Sequence, residues 1–200
     1  MISYRKLIPC IYIAGGKAIK WFNDREVLAD NVVELAKHYS DRGADELLIF
    51  DLSDSDDDHE ASLNLLRQIH NVISIPMVAG GNIKRMEDVQ RILYSGAKRV
   101  ILNFSKPDSA EMMAKAAERF GKEKVAVSLD DFDGLFKHQH LIEDNCSQLI
   151  FMHRLDLNSI MNVTDVPCVI ITDTEEESEL FKILKCPGVR GLSGRYVSRT

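Results

Sequence analysis

The chain has 200 residues, 45% hydrophobic and 28% charged, with 25 Lys+Arg against 31 Asp+Glu. That composition excludes a disordered, collagen-like or disulfide-framework chain, and the length suits one domain with a self-sufficient core. The net charge of −6 argues against a nucleic-acid partner, because neutralising phosphates needs a basic face.

At the N-terminus, residues 7–14 are apolar but interrupted by Pro9 and Tyr12, which does not make a signal peptide. No apolar run approaches the roughly 18 residues of a membrane span, so the expectation is a cytoplasmic protein without a membrane partner. Residues 7–13 predict the first strand, and the turn after it, Ile13-Ala-Gly-Gly16, is not a G-x-G-x-x-G dinucleotide loop. Trp21 and Phe22 follow in what reads as a first-loop flap. Helical spacing of Val32, Val33, Leu35 and Ala36 predicts a helix over 31–39, stopped near Gly43.

Continuous aliphatic runs mark the later strands at 46–51, 76–80, 99–103, 124–130, 148–153, 167–173 and 189–193. Continuous rather than alternating apolarity means that both strand faces are covered, as in a parallel sheet between helices. The acidic loop 54–60 departs from an EF-hand, with His59 and Leu65 where Gly and Glu are needed, and reads as carboxylates feeding a helix N-terminus. Residues 86–94 predict a helix closing on Ser95-Gly96. Capping boxes are expected at Asp108-Ser-Ala-Glu111 and Thr174-Glu-Glu-Glu177. His138-Gln-His140 lacks a partner cluster and reads as exposed helix; no metal site and no cofactor are expected. The four scattered cysteines read as free buried thiols.

Eight strand candidates in 200 residues give about 25 residues per unit, against about 31 in a (βα)8 barrel of ~250 residues. The expectation is therefore a single α/β domain over 1–200, a compact (βα)8 barrel with βαβα order throughout. Only six residues follow Ser193-Gly194, so the eighth helix is expected to be missing and the chain to be cut from a longer one.

In a barrel the chemistry gathers at the C-terminal ends of the strands. Those ends carry Tyr12, Asp51, Gly80-Gly81-Asn82, Asn103-Phe104-Ser105, Asp130-Asp131, Thr172-Asp173-Thr174 and Ser193-Gly194. Carboxylates beside Gly-rich turns that lead into helix N-termini suit a phosphorylated small molecule with acid/base groups next to it. The plainer readings are a tight turn at Gly80-Gly81, a loop hydrogen-bond partner at Asp51, a helix cap at Asp130 and loop support from Asn103.

Leu7-Ile-Pro-Cys-Ile11, Gly43-Ala-Asp-Glu-Leu47 with Asp51, Ala79-Gly-Gly-Asn-Ile83 with Glu87-Asp88, Gly96-Ala97 and Asn103 resemble the histidine-biosynthesis phosphoribosyl barrels, of the ribulose-phosphate-binding type. The similarity covers roughly residues 5–130 and is nearer the cyclase subunit of imidazole glycerol phosphate synthase than the sister ribonucleotide isomerase. The resemblance implies two facing catalytic aspartates: Asp130 matches the second, while Tyr12 stands at the first. Lys20 matches the family's first-loop lysine and Asp51 its strand-two aspartate. Gly81 and Asn103 match one phosphate site, beside Gly80, Asn82 and Ser105; only Ser193-Gly194 echoes the other.

The resemblance further implies the short barrel found at the N-terminus of some fused phosphoribosyl-AMP cyclohydrolase/phosphoribosyl-ATP pyrophosphohydrolase proteins. The expectation is a catalytically degenerate, cyclase-like barrel keeping at most one phosphate site for a phosphorylated ribonucleotide. Its partner would be a covalently linked downstream domain or a second copy. The rivals are an active cyclase or isomerase working through Asp130, Asp51 and Lys20, and a purely structural or dimerising module.

Overall fold

The computed structural model describes residues 5–105, 108–152, 164–174, 176–186 and 188–194, and the side chain of Glu177 is not among those described. Ten strands are described: β1 (Lys6–Ala14), β2 (Lys17–Trp21), β3 (Asp24–Ala29), β4 (Leu47–Asp51), β5 (Met77–Gly80), β6 (Arg99–Asn103), β7 (Val125–Leu129), β8 (Gln148–Phe151), β9 (Cys168–Ile171) and β10 (Val189–Gly194). The described helices are α1 (Val32–Asp41), α2 (Asp56–Val72), α3 (Met86–Tyr94), α4 (Ser109–Phe120), α5 (Phe132–Asn145) and α6 (Glu177–Lys185).

Eight strands pair in parallel in the order β10-β9-β8-β7-β6-β5-β4-β1, and β10 closes on β1 through Lys6–Pro9 against Gly191–Gly194. The chain is a (βα)8 barrel, as the spacing predicts. The expected eighth helix falls on residues after Gly194, which lie outside the described residues.

Alternation along the strands sorts the core into two layers. Ile8, Cys10, Leu48, Val78, Ile101, Ala126, Ile150 and Val169 fill the barrel, while Ile11, Leu47, Ile49, Val100, Val127 and Leu149 face the helices. The continuous apolar runs are needed because each strand contributes to both layers.

At the N-terminal end of the strands the interior is closed by charge. Glu46 is fully buried and accepts from Arg99 at 2.8 Å and from Gln148 at 3.0 Å, with Lys6 Nζ 3.9 Å away. A buried carboxylate survives there because every partner is supplied by a neighbouring strand or strand end.

Two expectations about elements are corrected. The βαβα order is broken by a hairpin, β2–β3, which is antiparallel and lies between β1 and α1. Gly15 and Gly16 are its cause: both take positive φ, 54° and 74°, as a two-residue turn matched to strand twist requires. The capping box expected at Asp108 does not form either, and the one expected at Thr174 depends on the Glu177 side chain, outside those described. Asp108 sits at the N-cap of α4 without a side-chain bond, and the N-cap of α6 is Glu176, whose N–H donates to Thr174 Oγ1 at 3.2 Å. By contrast, α1 is capped by Asn31 and α2 by Ser55, with Asp56, Asp57 and Asp58 in its first turn.

Candidate functional site

The C-terminal ends of β4, β5, β6, β7 and β8 surround a pocket of about 350 Å³ at the mouth. Its polar groups are Asp51, Asn82, Asn103, Ser128 and Asp130. Its apolar wall is built chiefly by Tyr12, Phe22 and Phe50, with Met152 opposite. A second hollow of about 290 Å³ adjoins it across Gly81, Asn82 and Asn103, and reaches Lys84, Asp108 and Ser109.

Tyr12 is buried, and its ring stacks on Phe50 with centroids 5.5 Å apart and planes 19° apart. Trp21, brought over by the hairpin, meets it edge-on at 5.3 Å and leans on Phe22 at 5.4 Å. The Trp21 flap expected from the sequence is therefore the wall of an aromatic cluster. Burial, with Cys10 beside it adding to the effect, pushes the Tyr12 phenol far above its ordinary range. Such a phenol neither gives nor takes a proton near neutral pH. Burial likewise pushes the Cys10 thiol up to about 12, against the lowering effect of the neighbouring Tyr12.

The two carboxylates of the mouth differ sharply. Asp51 is buried, and one oxygen accepts from the Ser53 N–H at 3.0 Å and from the Ser53 hydroxyl. Its other oxygen meets His59 Nδ1 at 2.5 Å. Three donors on one carboxylate make it an anchor of the β4–α2 loop, the plainer of its two expected readings. Asp130 is exposed and accepts from the Ser105 hydroxyl at 2.6 Å. Asn103 accepts from the Ser105 N–H at 2.8 Å, so residues 103–105 form one polar turn leading to Asp130.

Gly81 has φ 100°, and a Cβ there would lie 2.0 Å from the Asp51 carbonyl oxygen. Glycine is thus required by close backbone packing as well as by the turn. The α3 N-terminus behind it is already occupied: buried Asp88 accepts from the N–H groups of Lys84 and Arg85, both at 2.9 Å. The α4 N-terminus opens on the second hollow without a side-chain cap, and Ser109 Oγ donates to the Asn103 carbonyl.

Other expected site residues lie elsewhere. Lys20 sits on the exposed hairpin, ion-paired with Glu26 at 3.0 Å and Asp24 at 3.4 Å, and those partners raise its pKa. It borders a small hollow with Trp21 and Asp173 rather than the mouth pocket. Gly80 ends β5 between Phe50 and Ile101. Ser193 is fully buried, paired with Ile8 and Ile171 inside the barrel, while Gly194 pairs with Pro9. Ser193 lies level with Ile171, the last residue of β9, and Gly194 is the last residue of β10. Phe104 packs edge-on against His138 at 5.3 Å, outside the barrel.

His59 was not singled out as a partner of Asp51, because the acidic run hides it. Its offset of eight residues from Asp51, across one loop and a helical turn, was the only signal. His138 and His140 are exposed on α5. Among the described residues no group of three His, Cys, Asp or Glu side chains could hold a metal ion, and no helix is long and apolar enough to cross a membrane. All four cysteines are buried.

Comparison with known proteins agrees with this architecture. The family model described as histidine biosynthesis protein matches residues 6–177. Imidazole glycerol phosphate synthase subunit HisF of Tolumonas auensis is 35% identical over 130 residues, which is 64% of this chain and 50% of the relative. The chain thus spans about half the length of the curated relative it matches. With the match covering most of a closed barrel, the chain belongs to the histidine biosynthesis protein family.

Proposed function

We propose that this barrel serves histidine biosynthesis by binding or docking rather than by turning over the family's two-phosphate substrate. The observation that carries the reading is Tyr12. It stands where the resemblance implies the first catalytic aspartate, and it is buried against Phe50 and Trp21 with its phenol held protonated. Of the acid/base groups expected at the site, Asp51 is engaged by its own loop and Lys20 by the hairpin acids. Asp130 alone stands exposed at the mouth.

A single phosphate would sit in the hollow beside Gly81, Asn103 and the open α4 N-terminus, where backbone N–H groups and the helix dipole favour an anion. As the resemblance implies, the barrel would be part of a longer phosphoribosyl-AMP cyclohydrolase/phosphoribosyl-ATP pyrophosphohydrolase protein of the cytoplasm. A downstream domain or a second copy would be its partner. The relative's name marks it as a subunit, which favours assembly of some kind.

The test is a steady-state assay of the purified chain with the formimino-ribotide substrate and ammonia. No turnover is expected, and Tyr12→Asp should restore none, since it drives a carboxylate into an aromatic cluster. Turnover by the native chain that Asp130→Asn abolishes would replace this reading with that of an active cyclase. The aromatic cluster at Tyr12 also favours a second reading, a structural module. Its mark would be no phosphate binding together with a stable dimer in sedimentation.

A further inference from the structure

We infer that the mouth pocket takes a flat organic cation, an amidinium or a protonated nitrogen ring. The inference names a ligand class for the binding site proposed above, and rests on that reading of the mouth as a place of binding. One wall is aromatic: Phe22 and Phe50 line the pocket with Tyr12 behind, their rings linked through Trp21. Ring faces attract cations through their quadrupole, and flat ligands gain the most contact with such a wall.

The other wall carries Asp51 and Asp130, and no Lys, Arg or His among the described residues lines the pocket. His59 meets Asp51 from outside the pocket at 2.5 Å, and three further basic side chains are held by acids that do not line it. Lys84 pairs with Asp56 at 2.8 Å, Lys20 with Glu26 at 3.0 Å, and Arg25 with Asp54 at 3.3 Å. Asp130 is exposed with the Asn103 side chain on the same rim, so a ligand N–H edge meets acceptors while its face meets the rings. A volume of about 350 Å³ suits a one-ring ligand. An anion placed in the same pocket faces the exposed Asp130 carboxylate.

Trp21, the only tryptophan, reports on the pocket through its contacts with Tyr12 and Phe22. Benzamidinium titrated into the chain is expected to change Trp21 fluorescence saturably, with benzoate of the same shape giving no change. Asp130→Asn should weaken benzamidinium by about fivefold, and Phe22→Ala by a similar factor. Circular dichroism checks that both variants fold.

Lys106, His153, Arg154 and Arg195 follow mouth strands in sequence but lie outside the described residues, so inorganic phosphate is the third probe. Phosphate that displaces benzamidinium would overturn the inference. So would benzoate binding as tightly, or an Asp130→Asn variant that binds benzamidinium unchanged. Phosphate bound together with benzamidinium supports it, because the anion then occupies the adjoining hollow. Cyclase turnover in the earlier assay overturns the binding role and leaves this ligand preference standing, so the two failures are distinguishable.

Discussion

The two ends of the barrel handle charge in opposite ways. At the floor, Glu46 is buried completely and surrounded by Arg99, Gln148 and Lys6, donors drawn from separate strands or strand ends. At the mouth, the carboxylates are split: Asp51 is enclosed by donors from its own loop and helix, and Asp130 is left at the surface with one hydroxyl on it. The floor spends its charge on closing the barrel. The mouth leaves one carboxylate exposed, and that is the difference between the two ends.

The sharpest way to break this comparison is at the floor. Glu46→Ala leaves the half-buried Arg99 and the buried Gln148 without their carboxylate and should cost about 3 kcal/mol in urea unfolding. A loss below about 1 kcal/mol would mean the floor is not a structural seal. Alkaline pH probes the core behind it. Burial pushes the Cys146 and Cys168 thiols from an ordinary 9.0 up to about 12. The folded state therefore keeps protons that the unfolded chain releases, so stability should fall progressively as pH rises from about 9 towards 12. Denaturation midpoints across that range check the sign.

A smaller effect is expected from Asp51→Ala. It strands the half-buried Ser53 and the buried His59 without their acceptor and should cost about 2 kcal/mol, read as a drop in the thermal midpoint. If Asp51 were a free acid/base group rather than a loop anchor, its removal would leave stability unchanged. Asp130→Asn closes the series: an exposed side chain with one partner should alter stability by less than about 0.5 kcal/mol. The same variant is the one expected to change what the mouth binds.

Much of the architecture was legible beforehand. The continuous runs at Leu47-Leu48-Ile49-Phe50 and Val169-Ile170-Ile171 announced strands covered on both faces, and eight such runs pointed to a closed barrel. The hairpin was missed because Gly15-Gly16 was weighed as a failed phosphate loop instead of a two-residue turn between short strands. Lys17–Trp21 and Asp24–Ala29 mix charge with apolar residues, since an exposed ribbon needs no continuous apolarity. The capping box at Asp108 failed for a local reason. A polar residue three before a carboxylate is common, and only backbone geometry decides whether the two meet.

At the site, the rim positions of Asp51, Gly81, Asn103 and Asp130 followed from their places at strand ends. Their states did not. Which carboxylate is enclosed depended on His59, eight residues away on a helix whose acidic neighbours gave no hint of a buried imidazole. Ser193 stands at the end of its strand as its position implies, and its pairing with Ile8 and Ile171 turns its side chain towards the barrel interior.

By itself the sequence determined the barrel, since a period of buried strands and amphipathic helices admits few closed arrangements, and the resemblance set Tyr12 where the family's first aspartate is implied. Only the tertiary structure decided what that change means. Stacking on Phe50 and Trp21 comes from elements separated along the chain. The ionisation and engagement of a mouth residue are set by such neighbours, which no spacing along one strand can specify.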